Sequence, residues 1–325
     1  MSLRGIGLVA GQEMRTRLRA GRWRWLLGVW FVVASALAAL FRWALEAEDS
    51  VNPAVSMFGG VMLFVLLLTL LVAPALTAQS INGDRERGTL ATLQLTRLSA
   101  ADIVLGKLLA AWGVGLVVLG VTLPIAAWPV LEGAIGVGRA VVVTLVVALL
   151  IGVVCVVSMA LSALVTRSIT SALLSYLTVF ALMAGTPLLY FLALPLTTVT
   201  VYEESVGEVI HYEEDRSERI WWLLAPNPFV VLADAAPRLP KKMRVVDGYE
   251  REPFDPLGDI GHAVREAREG TYGDAYIGER PMKEPGPVWT YGLAFDLVLA
   301  GGAVWITTRR LRTPAHKISR GVRIA

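Results

Sequence analysis

The chain has little of the chemistry from which most active sites are built. Its 325 residues include one cysteine, Cys155, and three histidines. One cysteine excludes a disulfide framework and a thiolate metal site within a single chain. The histidines are far apart in the sequence and form no spaced ligand set: His211, His262 and His316. No Ser-His-Asp arrangement falls in or near an apolar run, so the sequence predicts no catalytic site.

A nucleotide-binding loop is also missing. The pattern Gly-x-x-x-x-Gly-Lys-Ser/Thr, whose backbone cradles phosphates, does not occur in the sequence. Lys107 follows a glycine, but Ala101 stands where the first glycine of that pattern belongs and Leu108 follows the lysine. We therefore predict that the chain is not an enzyme and holds no cofactor. Any ATP and magnesium that the activity of the protein requires would be bound by a partner subunit.

Charged residues are scarce as well. They make up 18% of the chain, whereas soluble domains contain about a quarter. Hydrophobic residues make up 55%, the mean hydropathy is +0.59, and the charges are crowded between long apolar runs. This pattern is typical of a polytopic membrane protein. The pI near 9.1 does not indicate a nucleic-acid partner, because the basic residues flank apolar runs.

Six apolar runs are long enough to cross a bilayer as helices, which takes about 20 residues each. They are residues 26–44, 57–78, 106–129, 140–165, 169–195 and 288–308. The first run is preceded by more than twenty residues and by a tryptophan-rich entry, which favours a retained anchor over a cleaved signal peptide. The predicted fold class is an all-α polytopic membrane protein with six transmembrane helices.

The basic residues predict how the chain is oriented. Seventeen Lys and Arg residues lie in the two terminal segments and in the short connections after the second and fourth spans. On the other side, the short flanks of the spans contain only two basic residues, Arg42 and Arg139. By the positive-inside rule both termini are cytoplasmic in a plasma (inner) membrane, and residues 196–287 form an extracytoplasmic loop. That loop has 18 acids and 11 bases, which is compatible with this side.

The outer loop contains two recognisable elements. The stretch WWLLAPNPFVVLADAA is apolar, but it is too short and too often interrupted by proline to span a bilayer. It predicts an interfacial or re-entrant piece packed under an external cap. The stretch REPFDPLGDIGHAVREAREG mixes turn residues with one short amphipathic helix.

A dense charged island separates the second and third spans. Its charges are too costly for membrane depth, at about 2.5–3.5 kcal/mol each at a helix centre, so it is predicted to be a cytoplasmic loop. Leu90, Leu93 and Arg97 share one face of a helix that starts near Gly88. Ser99-Ala-Ala-Asp102 then predicts a capping box for a new helix. The spacing alone fits equally a docking element or a helical hairpin on the lipid surface.

The charged island resembles the signature of ABC type-2 permeases, the membrane subunits of ABC exporters. The resemblance rests on Asp84-Arg85-Glu86-Arg87-Gly88-Thr89-Leu90 and on Leu105-Gly106-Lys107-Leu108-Leu109-Ala110. In that family an acidic-Arg-Glu-x-Gly-Thr-Leu element follows the second span and Gly-Lys-Leu-Leu opens the third. The six spans, the basic N-terminal segment and the outer loop also match. The chain departs from the family pattern at Ala91 and Leu98, where an acid and a proline are frequent.

The resemblance implies that the island is a coupling element that docks on a cytoplasmic ATPase subunit. The residues it assigns to docking are Asp84, Arg85, Glu86, Arg87, Gly88, Thr89, Leu90 and Leu93. The charged side chains would pair with charges on the partner, and the leucines would fill an apolar groove. The resemblance also implies two ATPase subunits, a second permease chain that is identical or related, and an apolar or amphipathic substrate.

The N-terminal segment resembles the interfacial elbow helix of the same family. Ile6, Val9 and Met14 are expected to face lipid, while the arginines of the segment meet anionic headgroups. A disordered basic tail is the alternative. The predicted organisation is an elbow helix at 1–24, five spans at 25–195 with the coupling loop at 79–105, a cap at 196–287, the last span at 288–308 and a basic tail at 309–325.

Asp296 is an ionisable residue inside the last predicted span. Such residues usually face a protein interior or water, because charge is costly in hydrocarbon. The sequence leaves several roles open for Asp296: a place on the translocation path, a pair with a base on a partner subunit, or a structural hydrogen bond or inert protonated carboxyl. Pro74, Pro124 and Pro187 also fall within spans, where they favour bends.

The sequence leaves two functions open. The first is the permease subunit of an ATP-driven exporter. The second is a sensing or immunity module with the same membrane fold, whose outer loop captures a peptide antibiotic without moving it. Movement of a substrate across the bilayer, as opposed to binding at residues 196–287, separates the two.

Overall fold

The computed structural model describes residues 2–18, 22–47, 52–89, 98–205, 208–239, 244–246, 249–251, 254–270 and 286–312. Within these ranges most residues are helical. The helices are α1 (Leu3–Leu18), α2 (Arg22–Ala47), α3 (Pro53–Thr77), α4 (Asn82–Glu86), α5 (Ala100–Leu131), α6 (Val137–Leu164), α7 (Ser168–Phe180), α8 (Thr186–Ala193), α9 (Pro228–Ala235), α10 (Pro256–Glu269) and α11 (Trp289–Leu311).

Among the described residues, six helical segments are long and apolar enough to cross a membrane, which confirms the predicted number of spans. They are α2, α3, α5, α6, the combined α7–α8 segment and α11. Several of these helices begin earlier than predicted. The third span starts at Ala100 rather than at residue 106, because Ser99 and Asp102 form the predicted capping box.

The core of the bundle is built around α3. Phe58, Met62, Leu66 and Leu70 on this helix have almost no exposed surface, and α3 packs against α2, α5 and α6. Helices α5 and α6 approach closely at Gly115, where an added Cβ would lie 2.6 Å from Cγ2 of Ile151. Small residues permit such close packing where lipid supplies no hydrophobic driving force between helices.

The peripheral spans are far less buried than α3. Large apolar side chains on α2, α7 and α8 are exposed, among them Val32, Leu173 and Leu192. In α8, Tyr190 is the one buried residue. These helices therefore present apolar surface to whatever surrounds the chain, which in a bilayer is lipid or another membrane protein.

The N-terminal helix packs differently from the sequence-based expectation. Ile6 and Val9 are 9% and 5% exposed, and Val9 lies against Gly106 of α5, where an added Cβ would be 2.6 Å from the Val9 Cβ. Met14 lies against Gly113 in the same helix. The prediction that this apolar face meets lipid is therefore wrong. Helix α1 packs the face on α5 instead, because two glycines there leave room for it.

The segment between α8 and α11 contains two antiparallel β-hairpins that the sequence pattern did not predict. They are β1 (Thr198–Ser205) with β2 (Glu208–Asp215), and β3 (Arg244–Val246) with β4 (Tyr249–Arg251). The apolar stretch that starts at Trp221 forms a short 3₁₀ turn followed by α9, which is too short to span a membrane, as predicted. The predicted amphipathic helix is α10.

Two buried charge pairs hold α9 and α10 to the spans at this end of the bundle, which we call the cap end. Arg139 of α6 donates to both carboxylate oxygens of Asp255 at 2.7 and 2.6 Å and to the carbonyl oxygen of Pro237 at 2.8 Å. Asp234 of α9 pairs with Arg265 and accepts the backbone N–H groups of Val288 and Trp289. Asp234 thus fixes the start of the last span.

An apolar cavity of about 200 Å³ lies among α2, α3, α5 and α6. Its lining includes Trp23, Trp30, Ala73, Ile151 and Cys155. Trp30 donates from Nε1 to the Thr122 hydroxyl at 3.1 Å, which links the first and third spans beside the cavity. Cys155 itself has no exposed surface.

Candidate functional site

The predicted coupling residues lie just after α3, at the end of the bundle opposite the cap, which we call the loop end. The backbone N–H groups of Ile81 and Asn82 donate to the hydroxyl of Ser162 at 3.2 and 3.1 Å. Ser162 lies near the end of α6, and all three residues are buried. The short helix α4 therefore begins from a fixed point on the fourth span.

A buried lysine joins the loop to two other segments. Nζ of Lys107 lies 2.6 Å from Oδ2 of Asp84, and it also donates to the carboxylate of Glu13. Lys107 side-chain exposure is 2% and Asp84 exposure is 9%, whereas Glu13 is 25% exposed. This cluster connects α4, α5 and α1 at one point. The attraction between its charges is strong because most of the cluster is shielded from water.

The predicted docking residues divide into a buried part and an exposed part. Asp84 is buried and accepts from Nη2 of Arg87 at 2.9 Å, in addition to its pair with the lysine. Arg85 is half-buried and donates to Oδ1 of Asn82 at 3.1 Å. The next residues, Glu86 to Thr89, are exposed. Asp84 therefore anchors the loop within the chain, and the surface open to a partner starts at Glu86.

The exposed part is shaped by local backbone and side-chain bonds. The Ser168 hydroxyl at the start of α7 donates to Oε1 of Glu86 at 2.6 Å. The Thr89 hydroxyl donates back to the carbonyl oxygen of Asp84 at 3.3 Å. Gly88 has a φ of +70°, a left-handed conformation that glycine adopts without the penalty other residues meet. The turn after α4 therefore requires a glycine at this position.

Two predicted docking residues, Leu90 and Leu93, lie outside the described residues. The helix predicted to carry them stays a prediction. The turn that follows is described: the Ser99 hydroxyl accepts from the Asp102 N–H at 3.2 Å, and the Asp102 carboxylate accepts from the Ser99 N–H at 3.0 Å. Asp102 also accepts the Ser2 backbone N–H at 2.9 Å, so the residue that precedes α1 contacts the N-terminal capping box of α5.

Asp296 is buried within the chain on α11. It is 3% exposed, and its Oδ2 has no hydrogen-bond partner among the described residues. The structure thus gives no structural hydrogen bond to that oxygen in the described part of the chain. A role on a translocation path stays a prediction.

Sequence reasoning missed the partners of Asp84. The sequence pattern identifies Lys107 only as part of the Gly-Lys-Leu-Leu element and as a failed match to a nucleotide-binding loop, and it does not single out Glu13. A signal was available, since Glu13 is the single acid among the first 24 residues of a strongly basic segment. Over the residues that the structure describes, no cluster of side chains could hold a metal ion.

A family model described as "ABC-2 family transporter protein" matches residues 8–238. The chain belongs to the ABC-2 transporter family. The match includes most of α1, the five spans that follow and the predicted coupling loop, and it ends before the last span. No curated protein sequence matches the chain. Members of this family are membrane permease subunits that work with ABC ATPase subunits, so the chain is a membrane transport protein of the ABC class.

Proposed function

We propose that this ABC-2 permease is the membrane subunit of an ATP-driven exporter. Two separate ATPase subunits bind ATP and magnesium, and a second permease chain, identical or related, completes the complex. The substrate is apolar or amphipathic. The complex lies in the plasma (inner) membrane with both termini in the cytoplasm, so the loop end faces the ATPases and the cap end faces outward.

The observation that carries this proposal is the division of the loop into a fixed and an exposed part. Asp84 is held by Lys107, while Glu86 and the three residues after it are open to solvent. A partner that grips the exposed part therefore acts on side chains whose backbone is tied directly to the spans. A flexible linker would instead take up a movement of the partner without passing it to the spans.

The fixed contacts indicate where a movement of the loop would go. Through Lys107 it reaches α5, and through Glu13 it reaches α1. Through Ser162 it reaches α6, and through the bond from Ser168 to Glu86 it reaches the fifth span. We propose that opening and closing of the ATPase pair is passed to the bundle by these four contacts.

In this proposal helix α1 still lies at the membrane surface, although the face that was expected to meet lipid packs on α5. One side packs on α5, while Leu3, Leu8, Arg4 and Arg15 are exposed. These apolar and basic side chains suit the boundary between acyl chains and anionic headgroups. The exposed apolar faces of α2 and α7–α8 suit contact with lipid or with the second permease chain.

Charge reversal at Glu86 tests the coupling role. In a complex co-purified with its ATPase, Glu86→Arg should lower substrate-stimulated hydrolysis and transport into inverted vesicles about tenfold, a loss of about 1.4 kcal/mol of coupling. The complex should stay assembled. The matched control is Glu213→Arg, which reverses an exposed carboxylate of the outer segment. Normal export by the Glu86 variant would contradict the coupling role.

Sidedness is tested separately with a cysteine at Thr89. A membrane-impermeant maleimide should label it in inverted vesicles and not in intact cells, with a cysteine at Glu213 giving the reverse pattern. Labelling of the Thr89 position from outside intact cells would overturn the proposal. Substrate that binds residues 196–287 without crossing the bilayer would favour the sensing or immunity function instead.

A further inference from the structure

The fifth span is not a continuous α-helix. Helix α7 ends at Phe180, a π-helical turn follows at Ala181–Gly185, and α8 starts at Thr186. Pro187 has no N–H, so it cannot donate to the carbonyl of Met183, four residues earlier in the chain. Within a bilayer such a carbonyl needs another donor, because no water is present to supply one.

Asn227 supplies the missing donor from a different part of the chain. Its Nδ2 donates to the carbonyl oxygen of Met183 at 2.9 Å and to the hydroxyl of Thr186 at 2.9 Å. Its Oδ1 accepts the backbone N–H groups of Phe229 at 2.8 Å and Val230 at 3.4 Å. One side-chain amide therefore satisfies the bend of the fifth span with its nitrogen and caps α9 with its oxygen.

The surroundings of Asn227 increase the importance of these bonds. The residue is 3% exposed, so no solvent replaces a lost partner. Helix α8 buries little apolar surface, with Leu188 and Phe191 both exposed. Where few apolar contacts hold a segment, each buried hydrogen bond contributes a larger share of its attachment.

We infer that Asn227 is a positioning residue that fixes the bend of the fifth span to the cap end. It makes α8 and α9 one unit, and Asp234 extends that unit to the start of the last span. The other end of the fifth span contacts the loop, because Ser168 donates to Glu86 and Ser171 donates to the carbonyl of Ala78. The fifth span thus joins the loop end to the cap end, and Asn227 is its outer joint.

The role in transport rests on the proposed function, whereas the joint itself can be tested on the purified chain. Asn227→Asp keeps the oxygens that cap α9 and removes both donors to the fifth span. Asn227→Ser keeps a good capping residue and is too short to reach Met183. Both variants should lower the thermal unfolding midpoint by several degrees. Asn52→Asp is the matched control, because Asn52 precedes α3 and its side chain makes no capping bond.

Pro187→Ala provides the decisive second substitution. It restores an N–H at position 187, so Met183 gains a donor within its own helix. The loss caused by Asn227→Asp or Asn227→Ser should then shrink to less than half. Pro74→Ala, which removes a proline from α3, should give no such rescue. Equal losses with and without Pro187 would overturn the inference.

Transport readouts separate the joint from the proposed function. In the assembled complex, Asn227→Asp should reduce export per ATP hydrolysed about tenfold, and Pro187→Ala should restore most of it. Rescue of both stability and export supports the positioning role. Rescue of stability with no effect on export in either variant would leave the contact intact but overturn its role in transport. Absence of any ATPase partner would contradict the proposed function and leave the stability test valid.

Discussion

The cap end and the loop end of the bundle both contain buried charge, but they arrange it differently. At the cap end each buried acid has its own arginine: Arg139 for Asp255 and Arg265 for Asp234. At the loop end two acids, Asp84 and Glu13, share the single ammonium of Lys107. The cap-end pairs also bind backbone groups of neighbouring elements.

This difference indicates different mechanical roles. Each of these planar guanidinium groups donates from one nitrogen to the carboxylate and from another to a backbone carbonyl oxygen, which fixes its orientation as well as its distance. An ammonium is a point charge on a flexible stem, so its partners can shift around it while the attraction persists. The cap end is therefore built to hold one arrangement. The loop end holds three segments to one buried charge and sets their relative orientation less strictly.

The largest expected effect is at the cap end. Arg139→Met should destabilise the chain by about 3–5 kcal/mol, because Asp255 is left as a buried charge without its arginine. Thermal unfolding of the purified chain, followed by intrinsic tryptophan fluorescence, measures the change. The double variant Arg139→Met with Asp255→Leu should recover much of the loss, since an apolar pair needs no counter-charge. A single variant as stable as the parent would show that the pair does not hold the cap.

A smaller stability effect is expected at the loop end. Lys107→Met should cost about 2 kcal/mol, because the partly exposed Glu13 can recover hydration after the lysine is lost. The same variant should impair coupling between hydrolysis and export more than Arg139→Met does in complexes that assemble. Adding Asp84→Asn should restore part of the stability by removing the unpaired charge. A Lys107 variant that loses stability but couples normally would refute the proposed division between the two ends.

The smallest effect concerns an exposed pair at the cap end. Nη1 of Arg42 lies 2.7 Å from Oε1 of Glu132, and this hydrogen bond lowers the pKa of the Glu132 carboxyl below its ordinary value. A lowered pKa means that the stabilisation is present above the ordinary glutamate pKa and is lost as the pH falls through the lowered value. Because both side chains are about one-third exposed, the contribution should stay below about 1 kcal/mol.

Unfolding midpoints of the parent and of Glu132→Gln should therefore differ slightly at pH 6 and converge as the pH falls through the lowered pKa of Glu132. In a protein that already carries Arg42→Gln, the further substitution Glu132→Gln should no longer change the unfolding midpoint at pH 6, because the two residues act as a pair. If Glu132→Gln destabilised the chain as much as Arg139→Met does, solvent would not be screening the exposed Arg42–Glu132 pair as expected.

The sequence predicted the parts of this fold that depend on local patterns. Six apolar runs have one stable arrangement in hydrocarbon, so the spans could be located without a structure. The capping box at Ser99 and Asp102 was also predictable, since both of its bonds lie within four residues. The glycine in the turn at position 88 belonged to a recognisable motif, which the positive φ explains.

The parts that were missed depend on residues far apart in the sequence. Lys107 and Glu13 are 94 residues apart, and nothing in the spacing of either indicates the other. The packing of α1 on α5 depends on Gly106 and Gly113 facing Val9 and Met14, which no periodicity reports. Asn227 is likewise matched to a carbonyl 44 residues away, whose usual helical donor four residues ahead is missing because residue 187 is a proline.

The position of Cys155 has a practical consequence for work on this permease. It is the single sulfhydryl of the chain, and it lies enclosed beside the apolar cavity without exposed surface. Spin labels and fluorophores added to the native protein should leave it unmodified. Reporter pairs at the loop end and the cap end can therefore be introduced directly, without first replacing the native cysteine, and distances between them can be read as nucleotide is added.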